Sequence, residues 1–199
     1  LWHTFYGNGN PNYNNGPAGV AGEVWVTGFS DGGSWAGPAG QPPLNPYTGL
    51  SDAFVLKLDA DGGYQWHAFY GTGFDSGRAV AVDASGDAVV VGFSGASWKG
   101  PGATAPLAPY RGTASNKLVA FVLKLRATGQ YLWHTFHGAG ADVANDVAVS
   151  ATGIHVACRS GGPWNGPAGQ PPLNAYRGTV AGPFDMLVLT LDASIQAEV

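Results

Sequence analysis

The sequence has one cysteine, Cys158, among 199 residues, so no disulfide forms within the chain and no Cys-rich metal knuckle can be built. Charge is scarce as well: 11% of residues are Asp, Glu, Lys or Arg, under half of the roughly 25% usual in soluble domains. Nine Lys plus Arg stand against thirteen Asp plus Glu, and the net charge of −4 comes with no basic cluster able to neutralise a row of phosphates. Nucleic acid is therefore not an expected partner. No apolar run approaches the eighteen or so residues that carry a helix across a bilayer, and no basic-then-apolar leader opens the chain, so membrane insertion is not expected. The chain opens on Leu1, inside a repeated element, which suggests processing from a precursor or a fragment of a longer protein.

Glycine is what the sequence has in excess. Its 32 residues are about twice the usual share of roughly 7%, a composition of many tight turns and few solvated helix faces. The glycines punctuate a long repeat whose clearest marker is Trp66-His67-Ala68-Phe69-Tyr70-Gly71, with copies at Trp2-His3-Thr4-Phe5-Tyr6-Gly7 and Trp133-His134-Thr135-Phe136-His137-Gly138. Aromatic and β-branched residues in alternation predict a strand at each copy. A near-regular period of this length predicts a repeat architecture within a single domain spanning 1–199.

The second repeat, 72–138, reads as four strands. Arg78 to Asp83 alternates, Ala84-Ser85-Gly86-Asp87 turns, and Ala88 to Phe93 is a β run. After a loop from Gly95 to about Lys117, Ala120 to Leu125 and Tyr131 to Phe136 complete the set around the turn Ala127-Thr128-Gly129-Gln130. The third repeat, 139–199, offers Asp146 to Ser150, Ile154 to Cys158 and Met186 to Leu191. The first, 8–71, offers Glu23 to Phe29 and Ala53 to Leu58, but its innermost position, Asn14 to Val20, carries Pro17 and two glycines and predicts an irregular or shortened strand. Residues 1–7 hold a fourth strand with no first three before it, and the third repeat holds three with no fourth after it. Four antiparallel strands per repeat make one blade, so the expected fold is an all-β propeller of three blade repeats, either partial or one half of a six-bladed assembly. The complementary ends suggest a self-assembly seam in which Trp2 and Phe5 of one copy meet Met186 and Val188 of another.

The order Asp52 to Asp59, then Trp66 to Gly71, then Ala81 to Gly92, followed by a long loop ending in Tyr, resembles the bacterial β-propeller repeat called SBBP. That resemblance implies a propeller, typically on secreted or surface proteins of bacteria, with no shared catalytic residues to carry over. The chain departs from it in the loop between its second and third strands, which repeats as Trp35-Ala36-Gly37-Pro38, Trp98-Lys99-Gly100-Pro101 and Trp164-Asn165-Gly166-Pro167, each closing on a tyrosine, Tyr47, Tyr110 or Tyr176.

Those Trp and Tyr residues are the candidate ligand or partner contacts. An exposed indole stacks on a sugar ring or anchors a protein; the competing reading, which the need of long loops for apolar anchors favours, is a local mini-core. His3, His67 and His134 share one repeat position, but an outer strand points equivalent positions apart, so packed histidines are expected rather than a metal centre. Asp59-Ala60-Asp61-Gly62 and Asp83-Ala84-Ser85-Gly86-Asp87 open like calcium loops but lack the bidentate Glu, and fit ordinary turn chemistry. Gly92-Phe93-Ser94-Gly95-Ala96 is no nucleophile elbow, and the Gly-x-Gly after each Trp-His strand opens no helix to hold a nucleotide. Asp75 and Asp142 occupy matching places and are the only carboxylate pair that invites glycoside chemistry. The sequence thus leads to no catalytic residues and no cofactor. The expected role is a non-enzymatic module at the cell surface or outside the cell, assembling with itself or docking to another surface protein, with carbohydrate binding through the Trp loops as the alternative.

Overall fold

The computed structural model of the protein describes residues 1–20, 22–113, 117–166, 168–178, 184–192 and 195. Pro167 of the third Trp loop lies outside the described residues. The fold is all-β, with three antiparallel sheets and no α-helix among the described residues. The first sheet comprises β1 (Asn12–Val20), β2 (Glu23–Asp31), β3 (Ser51–Leu58) and β4 (Tyr64–Tyr70), paired in chain order. The second repeats this with β5 (Asp75–Val82), β6 (Ala88–Ser94), β7 (Val119–Leu125) and β8 (Tyr131–His137). The third contains β9 (Val143–Ser150), β10 (Gly153–Ser160) and β11 (Asp185–Asp192).

Chain-order pairing follows from short hairpins, and the hairpins follow from one turn chemistry used repeatedly. At the β3–β4 turn Asp59 accepts from the backbone of Asp61 and Gly63 at 3.0 and 2.7 Å, and Gly62 takes a φ of 82° that a side chain would resist. Asp83 does the same for Ser85 and Asp87 at the β5–β6 turn, where Gly86 has a φ of 81°. The Asp residues that open like calcium loops are therefore turn caps, and Asp83 is further held by Lys124 at 2.9 Å.

The innermost strands begin earlier than alternation suggests. β5 starts at Asp75 rather than Arg78, and β9 at Val143 rather than Asp146, because each is interrupted by a register shift that breaks the period of two. The shift leaves Arg78 without a ladder partner in β5 and Asn145 in β9, and Asn15 in β1 is a third case. β1 is accordingly irregular, as its composition implies, but at nine residues it is not shortened. Pro17 is tolerated because β1 is an edge strand, where a missing N–H costs no ladder bond on the open side.

The sheets pack face to face. Trp25, Val55, Trp66 and Ala68 of the first meet Val80, Val90, Phe121 and Leu123 of the second in one core. Val89, Val91, Val122 and Trp133 of the second meet Ala144, Ile154, Val156 and Cys158 of the third in another. Glycine sets the spacing: a Cβ on Gly77 would collide with the Thr27 hydroxyl in the neighbouring sheet. A third cluster, Trp35, Phe54, Leu56, Leu58 and Phe69, lies on the outer face of the first sheet, with Tyr6 packed against it.

That contact corrects the expectation of a strand at the N-terminal copy. Residues 1–6 form no strand among the described residues. They nevertheless lie against the first sheet as β4 lies against the second. Trp2 Nε1 donates to Ala60 O at 3.0 Å, and Trp66 Nε1 to Ala127 O at 3.2 Å. Tyr6 meets Trp35 at 5.9 Å and 43°, and Tyr70 meets Trp98 at 5.9 Å and 42°.

Candidate functional site

The repeated Trp loops are built around a histidine from the fourth strand of the same sheet. Trp35 stacks on His67 with ring centroids 3.9 Å apart and planes 12° from parallel. Trp98 stacks on His134 at 3.8 Å and 10°. In each pair Nε2 of the histidine donates to the backbone carbonyl of its Trp, at 2.9 Å for Trp35 and 3.2 Å for Trp98. That carbonyl can only accept, so Nδ1 is left as the acceptor for the Tyr64 or Tyr131 hydroxyl, each at 2.7 Å. A neutral tautomer is thus specified at both sites, and burial pushes the His134 pKa down to about 4 and that of His67 in the same direction. Burial also raises the Tyr131 phenol to about 12.

Phe69 and Phe136 close each stack edge-on to the indole, at 5.4 Å and 81° and at 5.5 Å and 80°. The loop then returns along the free side of the fourth strand. Leu44 N donates to His67 O at 2.8 Å and Phe69 N to Asn45 O at 3.1 Å; Leu107 N to His134 O at 2.9 Å and Phe136 N to Ala108 O at 3.2 Å repeat the pattern. The fourth strand therefore sits in a slot one strand wide, between the third strand and its own loop.

These contacts account for where the candidate residues lie. Trp35 and Trp98 are 5% and 3% exposed, and Tyr47 and Tyr110 are half-buried with their rings edge-on to Phe69 and Phe136. Trp35 and Trp98 are the mini-core of their loops. Trp164 differs: it is half-buried, its ring contact is a tilted one with His137 at 6.1 Å, and it stacks on no described histidine. Tyr176 is half-buried as well.

The third sheet also differs along β11. In β3 and β7 the equivalent residues are buried throughout, Val55 at 0% and Val122 at 1%, whereas Met186 and Val188 are 86% and 66% exposed. No described strand lies beside the outer edge of β11, and Leu173 and Asn174, the counterparts of Leu44 and Asn45, make no backbone bond to any described residue. The two seam candidates at the other end, Trp2 and Phe5, are 41% and 89% exposed.

The histidines do not converge: His3 is exposed, while His67 and His134 are each locked to their own sheet. Asp75 and Asp142 are likewise separate structures. Asp75 Oδ2 accepts from Thr72 N and Gly73 N at 3.0 and 2.8 Å while Oδ1 takes the Ser94 hydroxyl. Asp142 is held identically by Ala139 N, Gly140 N and Ser160. Burial raises both, Asp75 to about 6, against the hydrogen bonds that lower it. Each carboxylate latches the Gly-x-Gly turn to the start of an inner strand. Sequence reasoning saw the matched Asp positions but not the matched serines one strand away, although Ser94 and Ser160 are equally periodic. Tyr64 and Tyr131, three residues before each buried histidine, were a second legible signal.

The chain is an all-β repeat protein of three packed antiparallel sheets. No model of a known protein family matches it, and no curated protein is significantly similar to it.

Proposed function

We propose that the three sheets are blades of a propeller of the SBBP type, and that the chain is a non-enzymatic structural module, outside the cell or at its surface, which self-assembles through its two ends. The observation that carries this reading is a pair of complementary features. Residues 2–6 dock on the first sheet with the contacts that a fourth strand makes to the following sheet, yet pair with no described strand, while β11 presents an apolar edge with no described strand beside it. An exposed edge of this kind is normally blunted by charge or proline, and β11 has neither between Met186 and Leu191. Met186, Val188 and Leu173 at one end and Phe5 at the other are large apolar side chains left exposed, as at interaction sites. The burial of Trp35 and Trp98 weighs against the carbohydrate alternative, which needs open indole faces.

Light scattering on the purified chain tests the reading. A discrete dimer supports a ring of two copies, and a ladder of larger species supports an open stack. A monomer at every concentration, with a β-type circular dichroism spectrum, contradicts it.

A further inference from the structure

Of the surfaces and clusters outside the mini-cores, the incomplete slot of the third sheet has the most specific shape, because the two complete slots define what fits it. In those, the fourth strand is read residue by residue. Tyr70 stands opposite Ala53, Phe69 opposite Phe54, Ala68 opposite Val55, His67 opposite Leu56 and Trp66 opposite Lys57. The second sheet uses the same register, from His137 opposite Ala120 to Trp133 opposite Lys124. β10 aligns β11 with β3 and β7 without ambiguity, since Ser160, Ser94 and Ser30 pair with Asp185, Val119 and Asp52.

We propose that the third sheet takes residues 2–6 of a second copy of this chain as its fourth strand, with Thr4 opposite Val188 and His3 stacked on Trp164. Tyr6 then faces Met186, Phe5 faces Leu187, His3 faces Leu189 and Trp2 faces Thr190. The inference rests on the self-assembly reading and adds to it a register and a receptor.

Three features of the free parts favour this occupant. The donor segment already holds its side chains in the required arrangement: His3 and Phe5 meet at 5.9 Å and 80°, as His67 and Phe69 do at 5.5 Å and 88° and His134 and Phe136 at 5.3 Å and 89°. The receptor lacks what this segment brings, since Trp164 has a tilted contact with His137 but no described histidine stacked flat on it, and Leu173 is fully exposed where Leu44 and Leu107 bond the histidine carbonyl. The faces match as well. Val55 of β3 packs in one core with Val80, Ala88 and Val90 of the next sheet, and Met186 and Val188 would meet Val24 and Val26, which hold the positions of Ala88 and Val90 in the first sheet of the incoming copy. Apolar area is thereby covered on both sides of the added strand.

Cross-linking between two differently substituted chains tests the register. Chain carrying Thr4→Cys is mixed with chain carrying Val188→Cys and oxidised at a concentration at which the wild type assembles. Cys158 stays silent, because it is buried and burial pushes its thiol up to about 12. The expected result is a heterodisulfide at least about ten times more abundant than with His3→Cys or Phe5→Cys in place of Thr4→Cys, since neighbouring residues point to opposite faces and disulfide geometry is narrow. Trp164→Ala is expected to weaken assembly about tenfold or more while leaving the circular dichroism spectrum unchanged. Assembly with no cross-link, with a shifted preference, or with full strength in Trp164→Ala overturns the register and the Trp164 receptor and leaves self-assembly standing. A chain that does not assemble overturns both.

Discussion

The indole of Trp98 lies flat on the imidazole of His134, 3.8 Å away, with the Nε2 proton of the histidine directed to the carbonyl of that same tryptophan. One contact thus fixes a loop, a rotamer and a tautomer together. Burial holds the ring neutral, and the Nδ1 left without a proton accepts from the Tyr131 hydroxyl.

Acid should therefore loosen the molecule. The unfolded His134 takes up a proton near its ordinary 6.5, and the folded one resists until about 4. Its contribution is intact above pH 6.5 and is lost as pH falls through that window, by about 3 kcal/mol. His137, also held near 4 by burial, acts in the same direction. Urea unfolding at a series of pH values checks this, with His134→Gln expected to show a shallower decline than the wild type.

Asp75 opposes that trend. Its pKa is raised from 3.8 to about 6, so its contribution is complete below pH 3.8 and is lost as pH rises to about 6. Asp75→Asn should remove this component, and its stability between pH 4 and 6 should fall more steeply on acidification than that of the wild type. The same urea series reads the difference. A steeper loss in the wild type than in Asp75→Asn would count against a buried carboxylate at this turn.

The three repeated tryptophans should respond unequally. Trp98→Ala empties a packed core site and should cost about 3–5 kcal/mol, whereas Trp164→Ala in the unassembled chain should cost under about 1.5 kcal/mol. Thermal melts of the two variants separate them. Equal losses would mean that Trp164 is as deeply packed as Trp98.

Gly92 is a sharper test of sheet geometry. It stands opposite Gly77 beside the bulge at Arg78, and a Cβ there would fall onto the carbonyl oxygen of Ser76. Gly92→Ala should destabilise by about 3 kcal/mol, through a backbone shift rather than lost burial. Gly28 occupies the same place in the first sheet, against the Tyr13 carbonyl, and should behave alike.

How far the sequence speaks for itself differs along the chain. The outer strands were legible because Ala120 to Leu125 and Tyr131 to Phe136 are apolar runs whose both faces are buried, and Gly-containing turns bound them. The inner strands were legible only after their bulges, since Asp75-Ser76-Gly77 and Val143-Ala144 carry no period of two; pairing is imposed on them by β6 and β10. The Pro- and Gly-rich β1 is irregular, as its composition implies, but runs its full nine residues because its ladder comes from β2 and its open side asks nothing of it. At the site, the recurrence of Trp and His was visible, but their mutual stacking was not: Trp98 and His134 are joined through a loop whose path no local pattern encodes. The shallower burial of Trp164 was not legible, since its sequence repeats that of Trp35 and the difference is that no described histidine stacks flat on it.

A Phe5→Asp substitution gives the donor segment a charge where the slot is apolar, facing Leu187. It should leave the three sheets intact, since Phe5 is 89% exposed, and should abolish assembly. Size-exclusion chromatography with matched circular dichroism distinguishes loss of assembly from loss of fold.

Hydrogen exchange on the wild type as a function of concentration addresses the central claim most directly. Strand addition gives outer-edge amides between Met186 and Thr190 and amides of residues 2–6 ladder hydrogen bonds that they do not make to any described residue. Protection of both segments should rise together with concentration and be lost together in Phe5→Asp. Fast exchange in both at every concentration, alongside protected β3 and β7, would contradict the account.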